Sequence, residues 1–429
     1  MRSEAVLAQS YTSNVDRNLS ELLFTELREK TSDGVGVTRC GYSEGESLAL
    51  DIFESKAKEF GLLSERDAAA NLVITLLGSE PDQPAIALGS HLDSVPQGGN
   101  FDGAAGVVAG LVILAGFARS GFKPRRTLKL FGLRGEESAR FGKAYIGSSA
   151  LFGKLTPIDL EAKAADNERK LVDCMRDVGA AVDRIAAGEC LLSPSTLAAW
   201  LELHIEQGPV LTARQQSIGV VTGIRGNLRH RIVECVGEAG HSGTVPRWLR
   251  HDTVFASADL LMQLDRHWRV LLERGRDLVM TAGVFGTLPE EHAIARIPGT
   301  TRFSFEARSQ NRDTLQAFYD LFQSECASIA EDRGVTFKVD RLVESVPALM
   351  DRDWIARLAN AAISMGYPCE EMASGAGHDA AVFANAGVPS AMIFVRNQHG
   401  SHNPHETMEI DDFLIGLATL RAAVQEAAQ

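Results

Sequence analysis

His91 and Asp102 flank a Gly/Pro/Asn-rich loop, HLDSVPQGGNFDG, set between an apolar run and a helix-like Gly/Ala/Val segment. An imidazole and a carboxylate at the mouth of a strand are metal-ligand types. Alone, H-x-D is too short a pattern to separate a metal loop from an ordinary surface loop. Matching ligands recur elsewhere. Glu136 and Glu137 follow LKLFGLRG, His204 closes WLELH, and His402 comes shortly after AMIFVRNQHGS. Four separate apolar runs thus deliver His or Glu at their C-terminal ends, the edge of an open α/β sheet where loops converge on ligands. Three imidazoles with two or more carboxylates suit a borderline metal such as zinc, and Asp102 is a candidate bridge between two ions. A pair of metals can share a water, sharpen it into hydroxide and polarise a carbonyl. An adjacent Glu-Glu pair is usually two solvated acids; beside these ligands it reads as one metal ligand and one general base. Asp93 stands two residues past His91, placed to hold that imidazole's other nitrogen.

The elements that must position these groups follow from periodicity. Helical spacing covers Asn18 to Glu29 and Glu46 to Phe60, with the turn-like GVTRCGYSEG before the second. Strand-like runs at Asn71 to Leu77, Ala85 to Ser90 and Thr127 to Leu133, separated by helices, predict an α/β layer with a largely buried sheet. Gly103 to Ala118 reads as a core helix whose small side chains let it lie close to that sheet. A charged helical stretch is expected to about Ala187, then a strand over Leu197 to Ile205.

From Ser217 to about Glu344 the pattern changes to β-β-α-β-β-α-β, a small sheet under two helices inserted into the larger domain. Expected bounds are 1–213 with 345–429 for the metal-binding domain and 214–344 for the insert. Helix Asp351 to Met365, the SGAGHDAAVFANAG segment, strand Ser390 to Arg396 and helix Asp411 to Glu426 return the chain to the first domain.

At 429 residues two domains are the natural prior. The net charge of -13 argues against nucleic acid and anionic membranes, which are bound through basic patches. Six cysteines without a C-x-x-C pair suggest neither a disulfide framework nor a thiolate zinc site, and fit a reducing cytoplasm. The N-terminal MRSEAVLAQSYTSNVD lacks the apolar core of a signal peptide. Gly103 to Ala118 is shorter than the roughly 20 residues a membrane span needs.

HLDSVPQGGNFDGAAGV, GEESARF, ELHIEQGPVL, GHSGTVP, IPG…FSFEARS, SGAGHDA and GSHNPHE resemble, in order and spacing, the hydantoinase/carbamoylase group of dinuclear metallohydrolases, over about Gly34 to Leu420. The resemblance implies a mixed-sheet α/β catalytic domain of zinc aminopeptidase type with an inserted α+β lid and dimerisation domain. It implies two divalent ions per subunit (Zn, or Mn, Co or Ni) on His91, Asp102, Glu137, His204 and His402, with Asp102 bridging and Glu136 as general base. Gln207 matches a substrate-contacting glutamine. His241 matches a histidine that stabilises the reacting carbonyl's oxyanion, in some arrangements from a partner subunit, and Arg308 matches the arginine that grips a substrate carboxylate. The expected partners are a small carboxylate-bearing substrate and a second copy of the chain.

The chain departs from the family pattern twice. PEEHAIARIPG stands where members carry P-N-x-x-N-V-I-P-G, so Ala295 replaces the substrate-contacting Asn, with His292 as the candidate substitute. EESARF replaces E-E-G-S-R-F but keeps both acids. The expected reaction is hydrolysis of a non-peptide C–N bond in an N-carbamoyl-L-amino acid or related ureido acid, giving amino acid, ammonia and carbon dioxide. The alternative is an N-acyl-L-amino-acid amidase, of aminoacylase or dipeptidase type, on the same dinuclear site. A non-catalytic metal- or ligand-binding module would need a broken ligand set, and this set is complete.

Overall fold

The computed structural model describes residues 13–429, so residues 1–12 of the N-terminal stretch read above lie outside the described residues. The chain divides into two compact units, one running up to Thr222 and resuming at Leu349–Gln429, the other Gly223–Ala348. In the first unit the strands are β1 (Leu63–Arg66), β2 (Leu72–Leu76), β3 (Ala85–His91), β4 (Leu128–Leu133), β5 (Leu197–Ile205) and β6 (Ile218–Ile224). The second contributes β7 (Gly226–Val236), β8 (Gly240–His241), β9 (Val279–Thr281), β10 (Phe285–Thr287), β11 (Arg296–Ile297), β12 (Thr300–Ser309), β13 (Thr336–Val339) and β14 (Val343–Ser345). After it come β15 (Ala348–Leu349), β16 (Glu370–Ser374) and β17 (Ser390–Val395).

The large sheet runs β1-β2-β4-β3-β5-β17-β6-β15, with β16 also against β6. Its centre is parallel: β3 with β4 and β5, and β17 with β5. Those strands are buried on both faces, which is why AIALGSH and SAMIFV read as unbroken apolar runs. The helix Ala104–Ser120 covers one face, and its glycines let it approach: a Cβ at Gly110 would collide with the Leu130 side chain. On the other face Trp200 stacks on Phe383 at 3.7 Å between ring centroids, with Phe131 beside both. No helix of the described residues is long and apolar enough to cross a membrane.

Three local expectations change. No helix separates β2 from β3, and an additional strand, β1, pairs antiparallel with β2. The stretch expected as one charged helix to Ala187 breaks into Ile146–Leu151, Pro157–Leu160, Leu171–Asp177 and Val182–Ala186, because Gly153, Pro157 and Gly179 interrupt it. The strand expected at Ser217 to Thr222 as the start of the insert lies instead in the large sheet, antiparallel to β17 with Val220 opposite Ile393. Period 2 marks a strand without saying which sheet it joins.

In the second unit β12 alternates cleanly. Thr301, Phe303, Phe305, Ala307 and Ser309 are buried, and Phe303, Phe305 and Ala307 share a core with Leu260, Leu264, Phe318 and Phe322 of the helices Thr253–Glu273 and Arg312–Arg333. The intervening Glu306 and Arg308 occupy the opposite face.

Candidate active site

The four parallel strands end at one edge of the large sheet, and their ligands meet there. His91 is the last residue of β3, His204 the penultimate residue of β5, the Glu pair follows β4, and His402 follows β17. Asp102 starts the approach to the Ala104–Ser120 helix, whose cap is Gly103 at φ +66; a Cβ there would strike the His91 ring. That position excludes a side chain on two counts.

Asp102 is buried and shared. Its Oδ1 lies 3.3 Å from His204 Nε2 and 3.7 Å from His91 Nε2, while its Oδ2 lies 3.4 Å from His402 Nε2. His402 Nε2 also stands 3.0 Å from Glu137 Oε1. Two three-residue groupings with ligand atoms close enough for one ion result, His91–Asp102–His204 and Asp102–Glu137–His402, and they have Asp102 in common.

The donor chemistry fits divalent ions. His91 Nδ1 reaches the Asp93 carbonyl at 3.1 Å and His204 Nδ1 the Ile205 carbonyl at 2.9 Å. Each Nδ1 is therefore committed to a carbonyl and Nε2 faces Asp102, so that release of the Nε2 proton leaves the tautomer a metal ligand needs. Asp102 Oδ1 is buried yet accepts no hydrogen bond. An orphaned carboxylate oxygen facing two imidazole Nε2 atoms is what a cation would satisfy.

Asp93 meets His91 Nδ1, the nitrogen expected of it, and its carboxylate has further partners. The nearest partner of His91 Nδ1 is the Asp93 carbonyl; the carboxylate is 3.4 Å away and also takes main-chain amides, Glu136 N on Oδ1 and Glu137 N on Oδ2, each at 3.0 Å. This grip turns the two glutamates apart. Glu137 meets His402, and Glu136 Oε2 sits 3.9 Å from His91 Nε2. Burial, only partly offset by His91, and then Glu137, Asp379 and Asp93 push the Glu136 carboxyl well above the usual range. Burial would lower the His91 imidazolium, but Glu136, Asp93 and Asp102 more than reverse this. Burial raises Asp102, but His204 and then His91 and His402 together outweigh it and hold the carboxyl below its ordinary range.

Gln207 has φ +62 and donates Nε2 to Asp102 Oδ2 and to Ser401 Oγ, both at 2.9 Å, so here it touches the bridging carboxylate. A left-handed glutamine over a ligand is the strained backbone that functional sites hold. Two buried groups escaped the sequence reasoning. Glu202 and His378 group with His204, but Glu202 already accepts from Ser90 Oγ, Trp200 Nε1 and the Ala380 amide. His378 Nε2 donates to Ser374 Oγ, whose own proton goes to Ala376 O. Burial and then His204 lower the His378 pKa well below its ordinary value, so the ring is neutral. These two support His204 from the side. The signals were present: Glu202 shares a strand face with His204 at i, i+2, and His378 belongs to SGAGHDA.

The remaining candidates belong to the second unit. His241 is exposed on β8, opposite Arg296 of β11, and its Nδ1 accepts from Gly243 N at 3.1 Å, which leaves the proton on Nε2. His292 is exposed and bonds to the Thr287 hydroxyl at 2.8 Å. Ala295 O accepts from Ser242 N at 2.9 Å, which puts the departing position beside His241. Arg308 is half-buried and bonds Glu306 Oε1 at 3.0 Å, a carboxylate that Arg229 also grips. Two planar guanidinium groups thus meet one carboxylate on that sheet face.

Residues 87–426 match the model of peptidase family M20/M25/M40. The N-carbamoyl-L-amino acid amidohydrolase of Geobacillus stearothermophilus is 34% identical over 395 residues, covering 92% of this chain and 94% of that one. The allantoate amidohydrolase of Escherichia coli (strain K12) is 31% identical over 395 residues, covering 92% and 93%. A crystal structure of a hydantoinase/carbamoylase family amidase from Burkholderia ambifaria superposes with a TM-score of 0.84 at 29% identity, covering 96% of this chain and 98% of that chain.

Proposed function

The chain belongs to peptidase family M20/M25/M40, with relatives that are carbamoyl and allantoate amidohydrolases, and from that premise we propose a metal-dependent amidohydrolase acting on a ureido C–N bond. The substrate class is an N-carbamoyl-L-amino acid or related ureido acid, and the products are amino acid, ammonia and carbon dioxide. The observation that carries this proposal is Asp102, one carboxylate shared between two histidine-bearing ligand groupings, with Glu136 beside them.

His91, Asp102 and His204 would hold one divalent ion, and Asp102, Glu137 and His402 a second. Such ions supply Lewis acidity, which makes a water nucleophilic at neutral pH and polarises the scissile carbonyl. Zn, Mn, Co and Ni all suit imidazole and carboxylate donors. Glu136, whose carboxyl holds a proton readily, takes one from the attacking water and returns it to the departing nitrogen. Water oxygen bonds to the carbonyl carbon, the C–N bond breaks, and the resulting carbamic acid decays to amine or ammonia plus carbon dioxide, so one water is consumed overall.

Arg308 is the group we assign to the substrate carboxylate, supported by the match of its motif FSFEARS and by its planar guanidinium, which can take a carboxylate two-pronged. His241, with Nε2 protonated, is suited to donate to a developing oxyanion. Gln207 and His292 are assigned to the substrate's polar middle. The second unit, as a lid and as the face of a homodimer, is part of the same proposal. So is a reducing cytoplasm, which suits six unpaired cysteines.

A panel of N-carbamoyl, allantoate-type and N-acyl amino acids, with ammonia and free amine both measured, tests the assignment. Ammonia released with amine supports a ureido substrate; amine and carboxylic acid without ammonia would move the enzyme to the acylase alternative.

A further inference from the structure

Two fully buried ionisable side chains, Arg39 and Glu46, lie on one short segment ahead of residue 87, and neither is a candidate ligand. Arg39 Nε donates to Leu92 O at 2.8 Å, directly after His91. Its Nη1 donates to Asn100 Oδ1 at 3.2 Å, two residues before Asp102, and its own amide reaches Ser94 Oγ at 3.0 Å, with Ser94 N returning to Arg39 O at 3.0 Å. One guanidinium therefore ties both ends of the loop that carries His91 and Asp102.

Glu46 does the equivalent under the other loop. Its Oε1 accepts from the Gly135 amide at 2.8 Å, and its Oε2 accepts from the Tyr42 amide at 2.8 Å and from Arg134 Nη1. Arg134 in turn donates to Ala70 O at 2.8 Å and Ser47 Oγ at 3.1 Å, and its amide to Asn71 Oδ1 at 3.0 Å. The amides of Gly135, Glu136 and Glu137 are thus taken in succession by Glu46 and the two oxygens of Asp93. Between the two side chains, Gly41 passes so close that a Cβ there would lie 2.7 Å from Gly135 Cα and 3.3 Å from Asp93 Oδ2.

Burying an ionisable side chain is costly, and the hydrogen bonds it makes offset part of that cost. Arg39 Nε and Nη1 and both Glu46 oxygens take groups beside the ligand positions, Arg39 Nη1 also reaches Thr31 Oγ1 at 3.4 Å, and Arg39 Nη2 has no hydrogen-bond partner among the described residues. We propose that Arg39 and Glu46 are positioning residues of the active site, Arg39 setting the His91–Asp102 loop and Glu46 setting the backbone from which Glu136 and Glu137 diverge. The stretch read from sequence as a turn, with the first turn of the helix after it, is then a brace beneath both loops. The role in turnover rests on the function proposed above; the role in metal geometry does not.

The test uses the full-length chain with Co(II) as the probe. Arg39→Met should weaken Co(II) binding at least tenfold and alter the Co(II) visible spectrum. Glu46→Gln, measured at saturating metal, should lower kcat at least tenfold with KM little changed and displace the acidic limb of the kcat–pH profile. Where either variant fails to fold, Arg39→Lys and Arg134→Lys keep the charge, lose the fork and should shift the same readouts in the same direction. Folded variants with wild-type Co(II) affinity, spectrum, kcat and pH profile, altered only in Tm, would overturn the proposal and leave two ordinary buried side chains. Absence of turnover in the wild-type chain on every substrate of the panel would count against the proposed reaction instead, since the Co(II) readouts need no substrate.

Discussion

Asp93 clamps the two adjacent glutamates to the strand that carries His91: its Oδ1 accepts from the Glu136 amide and its Oδ2 from the Glu137 amide, each at 3.0 Å. Both oxygens are used, so an amide in place of the carboxylate would set an N–H against an N–H. Asp93→Asn should lower kcat/KM by roughly tenfold to a hundredfold, the usual scale for groups supporting a metal site. Steady-state kinetics beside metal analysis check this, and wild-type kinetics in the variant would refute the clamp.

Glu136 and Glu137 are neighbours with different tasks. Glu136→Gln should reduce kcat by at least about a hundredfold while the bound metal stays at the wild-type level, because Glu136 is assigned the proton and not an ion. Glu137→Gln should lose metal. Measuring kcat and metal content on the same two preparations separates the roles; turnover retained in Glu136→Gln would remove it as the base.

Sharing of Asp102 predicts unequal losses on mutation. His402→Ala touches only the Asp102–Glu137–His402 grouping and should lower metal content to about one ion per chain, whereas Asp102→Ala touches both groupings and should lose nearly all. Equal losses in the two variants would mean that the groupings do not bind separate ions.

Proton competition gives a pH signature. In the metal-free protein the carboxylates around His91 and His204 raise both imidazoles despite burial. Folded pKa values above the unfolded value of about 6.5 mean stability that is in full force below that pH and lost as pH rises through the folded values. Chelator-treated protein should therefore lose Tm on the alkaline side of 6.5, and the metal-loaded protein should not. Loading at pH 7 should release protons, seen as a calorimetric heat that depends on the buffer. A buffer-independent heat would contradict this.

Arg308 offers a planar fork to a carboxylate. Arg308→Lys should raise KM for a ureido acid by roughly tenfold or more, the worth of a charged hydrogen-bonded pair, with a much smaller effect on kcat. The same substrate as its carboxamide should distinguish the two proteins little. An unchanged KM would free Arg308 from substrate and leave it to Glu306.

The gathering of His91, Glu137, His204 and His402 was legible in the chain because an apolar strand that ends in His or Glu is a local pattern, and several such strands imply one sheet edge. The core helix at Gly103 to Ala118 was legible for the same reason, since its small residues and its period sit within one segment. What the sequence alone left open depends on partners far apart in the chain. Asp93 was placed two residues from His91, but its carboxylate serves the amides of Glu136 and Glu137, contacts that only the pairing of β3 with β4 creates. The period-2 run at Ser217 to Thr222 identified a strand and could not say that β17 would be its neighbour. Arg39 fell in a turn-like stretch and Glu46 at the start of an expected helix, and neither drew notice, because burial is a property of what folds over a residue and not of the residue itself. Residue types along the strands determined which chemistry the chain can perform; the stacking of loops beneath one sheet edge decided how its acids are aimed.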